Sequence, residues 1–224
     1  MREKPIHYLQ YDPNWGSIVF SNHNDPNQTI ASSGCGATTM AMVAAAFVDT
    51  NISPPDVAAL IVEQGYRTYD NGVDWGFYPC AAEYYGLKFE QTTDTDAAIE
   101  ALRAGALVIA SMGPGYFTSY GHYILLWGLD KENELILVND PNSETRTRAG
   151  CGLFRDESCN YFIFYDPRPR QVELPVDVIT IKIGGKAVTG KMVDGVSYAP
   201  VRALCEALGC TVTWDGDNRT VTVT

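Results

Sequence analysis

Apolar and polar positions along the chain change their period three times. Residues 1–30 hold no helical period; Asn, Asp and Pro recur, which predicts an extended, loop-like segment. Ala31-Ser32-Ser33-Gly34-Cys35-Gly36 then opens a run from Ala37 to about Val48 made of Ala, Met, Thr, Val and Phe. A run that is apolar on every face predicts a buried helix. Ser53-Pro54-Pro55-Asp56 starts a second helix, with a serine N-cap, proline in the first turn and an acid at the positive end. That helix is expected to end near Gly65. Phe77–Tyr85 reads as a third helix closed by Gly86, and Asp94–Ala104 as a fourth closed by Gly105.

Beyond Gly105 the period shortens. Ala106–Ser111, His122–Leu129, Glu134–Asn139 and Asn160–Tyr165 are strand-like runs. Met112-Gly113-Pro114-Gly115, Asp130-Lys131-Glu132-Asn133 and Asp140-Pro141-Asn142-Ser143 are the turn signals between them. Helices followed by an antiparallel sheet predict an α+β domain.

Asp166-Pro167-Arg168-Pro169-Arg170, followed by Leu174-Pro175, reads as a stiff, extended connector. It divides the chain into a domain over 1–166, a proline-rich linker over 167–175 and a small domain over 176–224. The small domain reads β-β-α-β-β. Val178–Ile183 and Lys186–Val188 flank Gly184-Gly185, a helix starts near Tyr198 and ends at Gly209, and Thr211–Trp214 and Thr220–Thr224 flank Asp215-Gly216-Asp217-Asn218. Val and Thr alternate in the last strands, which predicts one buried and one wet face.

Composition narrows the function classes. Of 224 residues, 46% are hydrophobic, enough to bury a sizeable core. Sixteen Lys and Arg stand against 27 Asp and Glu, a net charge of −11. So acidic a chain lacks the cationic surface that holds nucleic acid or an anionic membrane leaflet. Residues 1–170 hold 21 acidic and 11 basic side chains, net −10, which leaves −1 for residues 171–224. The N-terminus has no apolar signal core, and no run of 18 apolar residues would span a membrane. The six cysteines form no C-x-x-C, which argues against a zinc ribbon. Cys151 with Cys159, and Cys205 with Cys210, can each be a disulfide or two free thiols.

Three histidines make the search for a general base short. His7 and His23 fall in the N-terminal extended region; His122 opens a strongly apolar strand. On position alone, His122 can equally be a strand-end histidine bonded to a neighbouring backbone group. Cys35 stands between two glycines at the mouth of the longest helix, where the helix terminus favours the thiolate. The glycines leave the sulfur open and let backbone N–H groups approach a developing oxyanion. Cys35 can also be a small buried hydrophobe. Cys80 is a rival nucleophile without the glycine bracket. Asp140 ends the strand after that of His122, so adjacent strands can set the two side by side; alone, Asp-Pro is a turn starter. Gln10 lies ahead of the nucleophile and can share an oxyanion with the Cys35 N–H. Trp75, Tyr116 and Tyr120 can line a cleft or simply pack.

Gln10 with Trp15, Ser33-Gly34-Cys35-Gly36-Ala37-Thr38, Gly121-His122-Tyr123 and Asn139-Asp140-Pro141 together resemble the bacteriocin-processing-peptidase-like branch of the papain-like cysteine peptidases. The resemblance covers about residues 5–166 and implies the papain-like fold. It implies Cys35 as nucleophile, His122 as base, Asp140 as the acid orienting it and Gln10 as oxyanion donor, with no cofactor or metal. The tail resembles the stalk-type module named after the N-terminal domain of copper amine oxidases. Val193-Asp194-Gly195-Val196-Ser197-Tyr198-Ala199-Pro200-Val201-Arg202 and Gly209-Cys210-Thr211-Val212-Thr213-Trp214-Asp215 carry that likeness. It has no histidine, so a copper site there is chemically out of place.

Such modules accompany extracellular and cell-wall proteins. The expectation is therefore a peptidoglycan hydrolase or phage lysin, extracellular or wall-associated. Its partner would be a peptide or peptidoglycan, with wall contact through the tail and neither nucleic acid binding nor membrane insertion. A protease for proteins or leader peptides is the alternative. An inactive binding protein on the same scaffold is a third reading. The −10 charge favours neutral or cationic substrate segments and opposes a thiolate at Cys35, so local groups must outweigh it.

Overall fold

The computed structural model describes residues 3–70, 72–130, 134–166, 177–183, 185–193, 196–215 and 220–224. The chain divides into two units, Met1–Arg168 and Pro169–Thr224. The proline-rich connector expected over 167–175 lies outside the described residues.

In the first unit, a one-turn helix α1 (Ile30–Ser33) is followed directly by α2 (Cys35–Phe47), and then by α3 (Pro54–Glu63) and α4 (Phe77–Tyr85). Strand β1 (Lys88–Thr92) precedes α5 (Thr95–Arg103). Then come β2 (Leu107–Met112), β3 (His122–Asp130), β4 (Leu135–Asn139), β5 (Arg148–Gly150), α6 (Cys151–Glu157) and β6 (Ser158–Tyr165). The strands make one antiparallel sheet in the order β1-β6-β2-β3-β4-β5.

Both faces of this sheet are covered. Alternate side chains of a strand point to opposite faces. Leu107 and Ile109 of β2 join the core formed with α2, α3 and α4. Val108 and Ala110 join a second core with α5 and Phe154 of α6. The helices therefore cover both faces, α2, α3 and α4 on one and α5 and α6 on the other. Helix α2 is buried on every face from Gly36 to Ala45. Each fully buried Met, Val or Phe contributes roughly 1.5–3 kcal/mol. That anchorage fixes the helix, and hence the residue at its mouth.

Four elements depart from the sequence pattern, among them β5, which no strand-like run marked. The long helix expected from Ala37 starts two residues earlier, at Cys35, and the one-turn α1 precedes it across Gly34. Strand β1 reads Lys-Phe-Glu-Gln-Thr and forms a sheet edge, where charged residues replace the apolar alternation. Helix α6 occupies the span between Cys151 and Cys159; these two and the other four cysteines are free thiols.

The second unit holds β7 (Asp177–Ile183), β8 (Lys186–Val193), β9 (Val196–Tyr198), α7 (Val201–Ala207), β10 (Val212–Asp215) and β11 (Thr220–Val223). β7, β8 and β9 form one antiparallel sheet, and β10 and β11 a second. It thus has one more strand than the pattern predicted. The turn expected at 216–218 lies outside the described residues. Val221 and Val223 of β11 stay 45% and 44% exposed, so the buried face expected from the Val–Thr alternation is not formed there.

Candidate active site

Gly34 creates the turn that presents Cys35. Its N–H closes α1 on the Ile30 carbonyl (2.8 Å), and its own carbonyl accepts from Thr38 in α2 (2.8 Å). A Cβ on Gly34 would lie 2.5 Å from the Ile30 oxygen. No side chain caps the first turn of α2, so its leading N–H groups are left for an outside acceptor. Gly36 has a different reason to be small: a Cβ there would meet Val73, Tyr78 and Tyr123 at 3.0–3.3 Å. It lets α2 settle against the aromatic side chains of α4 and β3.

His122, the first residue of β3, faces Cys35 from the sheet. Its Nε2–H donates to Asp140 Oδ1 at 2.7 Å. The carboxylate only accepts, which fixes that proton and leaves Nδ1 for the hydrogen bond with the Cys35 thiol. Burial raises the Cys35 pKa. The hydrogen bond and charge of His122, with backbone N–H groups of Tyr123 and Gly36, outweigh it and hold the thiol below its usual value. Burial likewise pushes the His122 imidazolium down, but its bonds to Asp140 and Cys35 reverse this and raise it to about 9. The arrangement favours a thiolate–imidazolium pair.

Asp140 is fully buried, just past the end of β4. It both starts the turn, taking the Asn142 N–H on Oδ1 (2.8 Å), and faces His122. Arg146 Nε stands 2.7 Å from its Oδ2. That contact is an ion pair without hydrogen-bond direction, since neither atom has a directional partner. The N-terminal strap is tied to the same turn. His7 Nε2–H donates to the Asp140 carbonyl (2.7 Å), Asn139 Nδ2 to the Pro5 carbonyl (3.2 Å), and the Gln10 N–H to the Pro141 carbonyl (2.8 Å).

Those ties set Gln10 beside Cys35. The Gln10 amide is buried and its Nε2 donates one hydrogen to the Ala31 carbonyl at 2.6 Å. An amide nitrogen carries two donors, so the second remains for a substrate oxygen. The structure thus brings Gln10, Cys35, His122 and Asp140 together. Cys80 sits apart on α4, where its thiol interacts with the Tyr66 phenol rather than an imidazole.

Two cavities meet at Cys35 and His122. One, of about 310 Å³, is lined by neutral groups including Ser33, Thr68, Gly72, Val73 and Tyr123. The other, of about 430 Å³, runs past Gln10, Tyr116, Asn142 and Arg146. Tyr120 lines both and is 86% exposed. Trp75 instead packs edge-on against Phe162. Arg146 and His7 were not singled out by the sequence. Both act on Asp140 from loops, where no periodicity marks a partner.

The model of the Peptidase_C39-like family matches residues 17–161, and that of the copper amine oxidase N-terminal domain matches residues 176–224. Gln10 lies ahead of the first match. The tail holds none of the three histidines, so it offers copper no imidazole and does not fit that metal. No curated protein matches the chain. Among solved structures, the chain is similar to the peptidase domain of Streptococcus ComA, a bi-functional ABC transporter involved in a quorum-sensing pathway. The identity is 20% and the TM-score 0.48, covering 61% of this chain and 93% of that one. It is also similar to a putative C39-like peptidase from Bacillus anthracis, at 14% identity and TM-score 0.47, covering 73% of this chain and 98% of that one. With the family model matching well over half of its length, the chain belongs to the Peptidase_C39-like family.

Proposed function

We propose that this protein is a cysteine peptidase or amidase in which Cys35 is the nucleophile, His122 the acid–base group, Asp140 its orienting acid and Gln10 an oxyanion donor. The observation that carries the proposal is the chain of contacts from the Cys35 thiol through His122 to Asp140, 2.7 Å beyond, at the uncapped mouth of α2. The Cys35 thiolate attacks the scissile carbonyl carbon. The oxyanion is met by the Cys35 N–H and the second Gln10 Nε2–H. His122 passes its Nδ1 proton to the departing amine, then takes a proton from water as that water attacks the thioester. Acid release restores the thiolate and imidazolium.

The favoured substrate is the peptide portion of the bacterial cell wall. Two features support it. The two cavities that meet at Cys35 leave room for a peptide chain at the thiol. The tail matches a module expected to accompany wall-associated proteins. A general protease for proteins or leader peptides is the second reading, favoured by the small neutral cavity. Incubation with purified peptidoglycan and with casein, followed by product masses, separates the two. New amine and carboxyl termini from peptidoglycan are expected, and they should vanish in Cys35→Ala. Cleavage of casein alone would reject the wall assignment.

A further inference from the structure

One buried charge has no part in the chemistry above. Arg67, in the loop after α3, is only 2% exposed. It donates from Nε to the Phe20 carbonyl (2.9 Å) and from Nη1 to the Thr68 (3.0 Å) and Gly72 (2.8 Å) carbonyls. Its Nη2 donates to Gln28 Oε1 (3.0 Å) and Ser33 Oγ (3.2 Å). Its carbon centre lies 4.6 Å from the centroid of the Phe20 ring. Every acceptor is a neutral oxygen, and among the described residues none of its hydrogen bonds reaches a carboxylate. An isolated buried cation costs several kcal/mol unless an anion compensates it.

The anion available is the thiolate. Ser33 stands two residues before Cys35, and Ser33, Thr68 and Gly72 line the cavity that holds Cys35 and His122. Arg67 is thus fastened to the wall of the nucleophile's own cavity. Burial pulls its pKa down and the charge of Cys35 pulls it back up. The other groups facing Cys35 are His122, the phenols of Tyr78 and Tyr123, which burial keeps protonated, Asp140 behind His122, and Arg146, which lines the second cavity. Arg146 is paired with Asp140, so among the described residues Arg67 and His122 are the cations left to offer positive charge to the sulfur. In a domain of net charge −10, a fixed cation at this point supplies the local compensation that the thiolate needs.

We propose that Arg67 is an electrostatic positioning residue that holds Cys35 as a thiolate, independently of the state of His122. The inference rests on the reading of Cys35 as nucleophile. Its test is the pH dependence of Cys35 alkylation by iodoacetamide, followed residue by residue by mass spectrometry on the full chain. Arg67→Gln is expected to raise the midpoint by about one pH unit, so that alkylation at any pH below the wild-type midpoint slows about tenfold. Arg67→Lys keeps a charge and should recover most of that shift. An unchanged midpoint in folded Arg67→Gln would overturn the proposal. So would an Arg67→Lys midpoint equal to that of Arg67→Gln, because the loss would then come from packing. If neither variant folds, His122→Ala carries the test with Arg67 in place. Its Cys35 midpoint should be no higher than that of exposed Cys159, and a higher one overturns the proposal. Failure of the nucleophile reading itself appears elsewhere, as hydrolysis retained by Cys35→Ala.

Discussion

Asp140 shows how one side chain can start a turn and hold an imidazole together. Its Oδ1 takes both the Asn142 N–H and His122 Nε2–H, and Arg146 stands against its Oδ2. The sequence suggested either role from the Asp-Pro dipeptide and the strand order. It did not show Arg146, six residues on in a loop, because ion pairs across a turn leave no period. The carboxylate charge helps raise the His122 pKa to about 9. Asp140→Asn removes that charge, so the imidazolium loses its proton at lower pH and the alkaline limb of kcat/KM should move to the acid side. A pH–rate profile checks this. Linkage gives the same sign in stability. A raised histidine pKa stabilises fully below its ordinary 6.5 and no longer does so above about 9. Asp140→Asn should therefore cost more at pH 6 than at pH 10, as read by urea unfolding at both. Gln10 was legible only through resemblance; a lone glutamine in a loop has no signature. Gln10→Ala should lower kcat about 10²-fold by losing an oxyanion donor, with little change in KM, as steady-state kinetics can measure.

Elements with clear stop signals were read to within a residue or two. Helix α4 runs from Phe77 to Tyr85 and ends at Gly86 with φ +67°, and α5 is followed by Gly105 with φ +87°. Those glycines adopt a backbone that other residues resist. The break between α1 and α2 was not read, since Ser-Gly-Cys-Gly is equally consistent with one continuous start. It is decided by tertiary contact. The chain turns at Gly34 because a side chain there would strike the Ile30 carbonyl, while α2 is held by its buried faces. Gly34→Ala should therefore lower stability by about 1–3 kcal/mol and cut activity further than the unfolding predicts, since the Cys35 N–H would shift. Thermal unfolding alongside kcat/KM checks both. Strand β1 was missed because Lys88 and Glu90 pair with each other at 2.9 Å on the exposed edge, hiding the alternation.

For the molecule as a whole, charge and site pull against each other. Nearly all of the net charge of −11 belongs to residues 1–170. Its potential disfavours a thiolate, yet the sulfur is held below its usual pKa by His122 and the N–H groups around it. Activity should accordingly form a bell. It rises as Cys35 loses its proton, below the usual thiol value, and falls as pH passes about 9, where His122 loses its own. Added salt should weaken turnover of cationic peptides more than of neutral ones, because only the former are drawn by the acidic surface. The account turns on one preformed thiolate among six free cysteines. Competitive alkylation of the native protein at pH 6, quantified for all six by peptide mass spectrometry, tests it most directly. Cys35 should react at least about tenfold faster than Cys80, and His122→Ala should slow it. Equal rates at Cys35 and Cys80 in the folded protein would contradict the account.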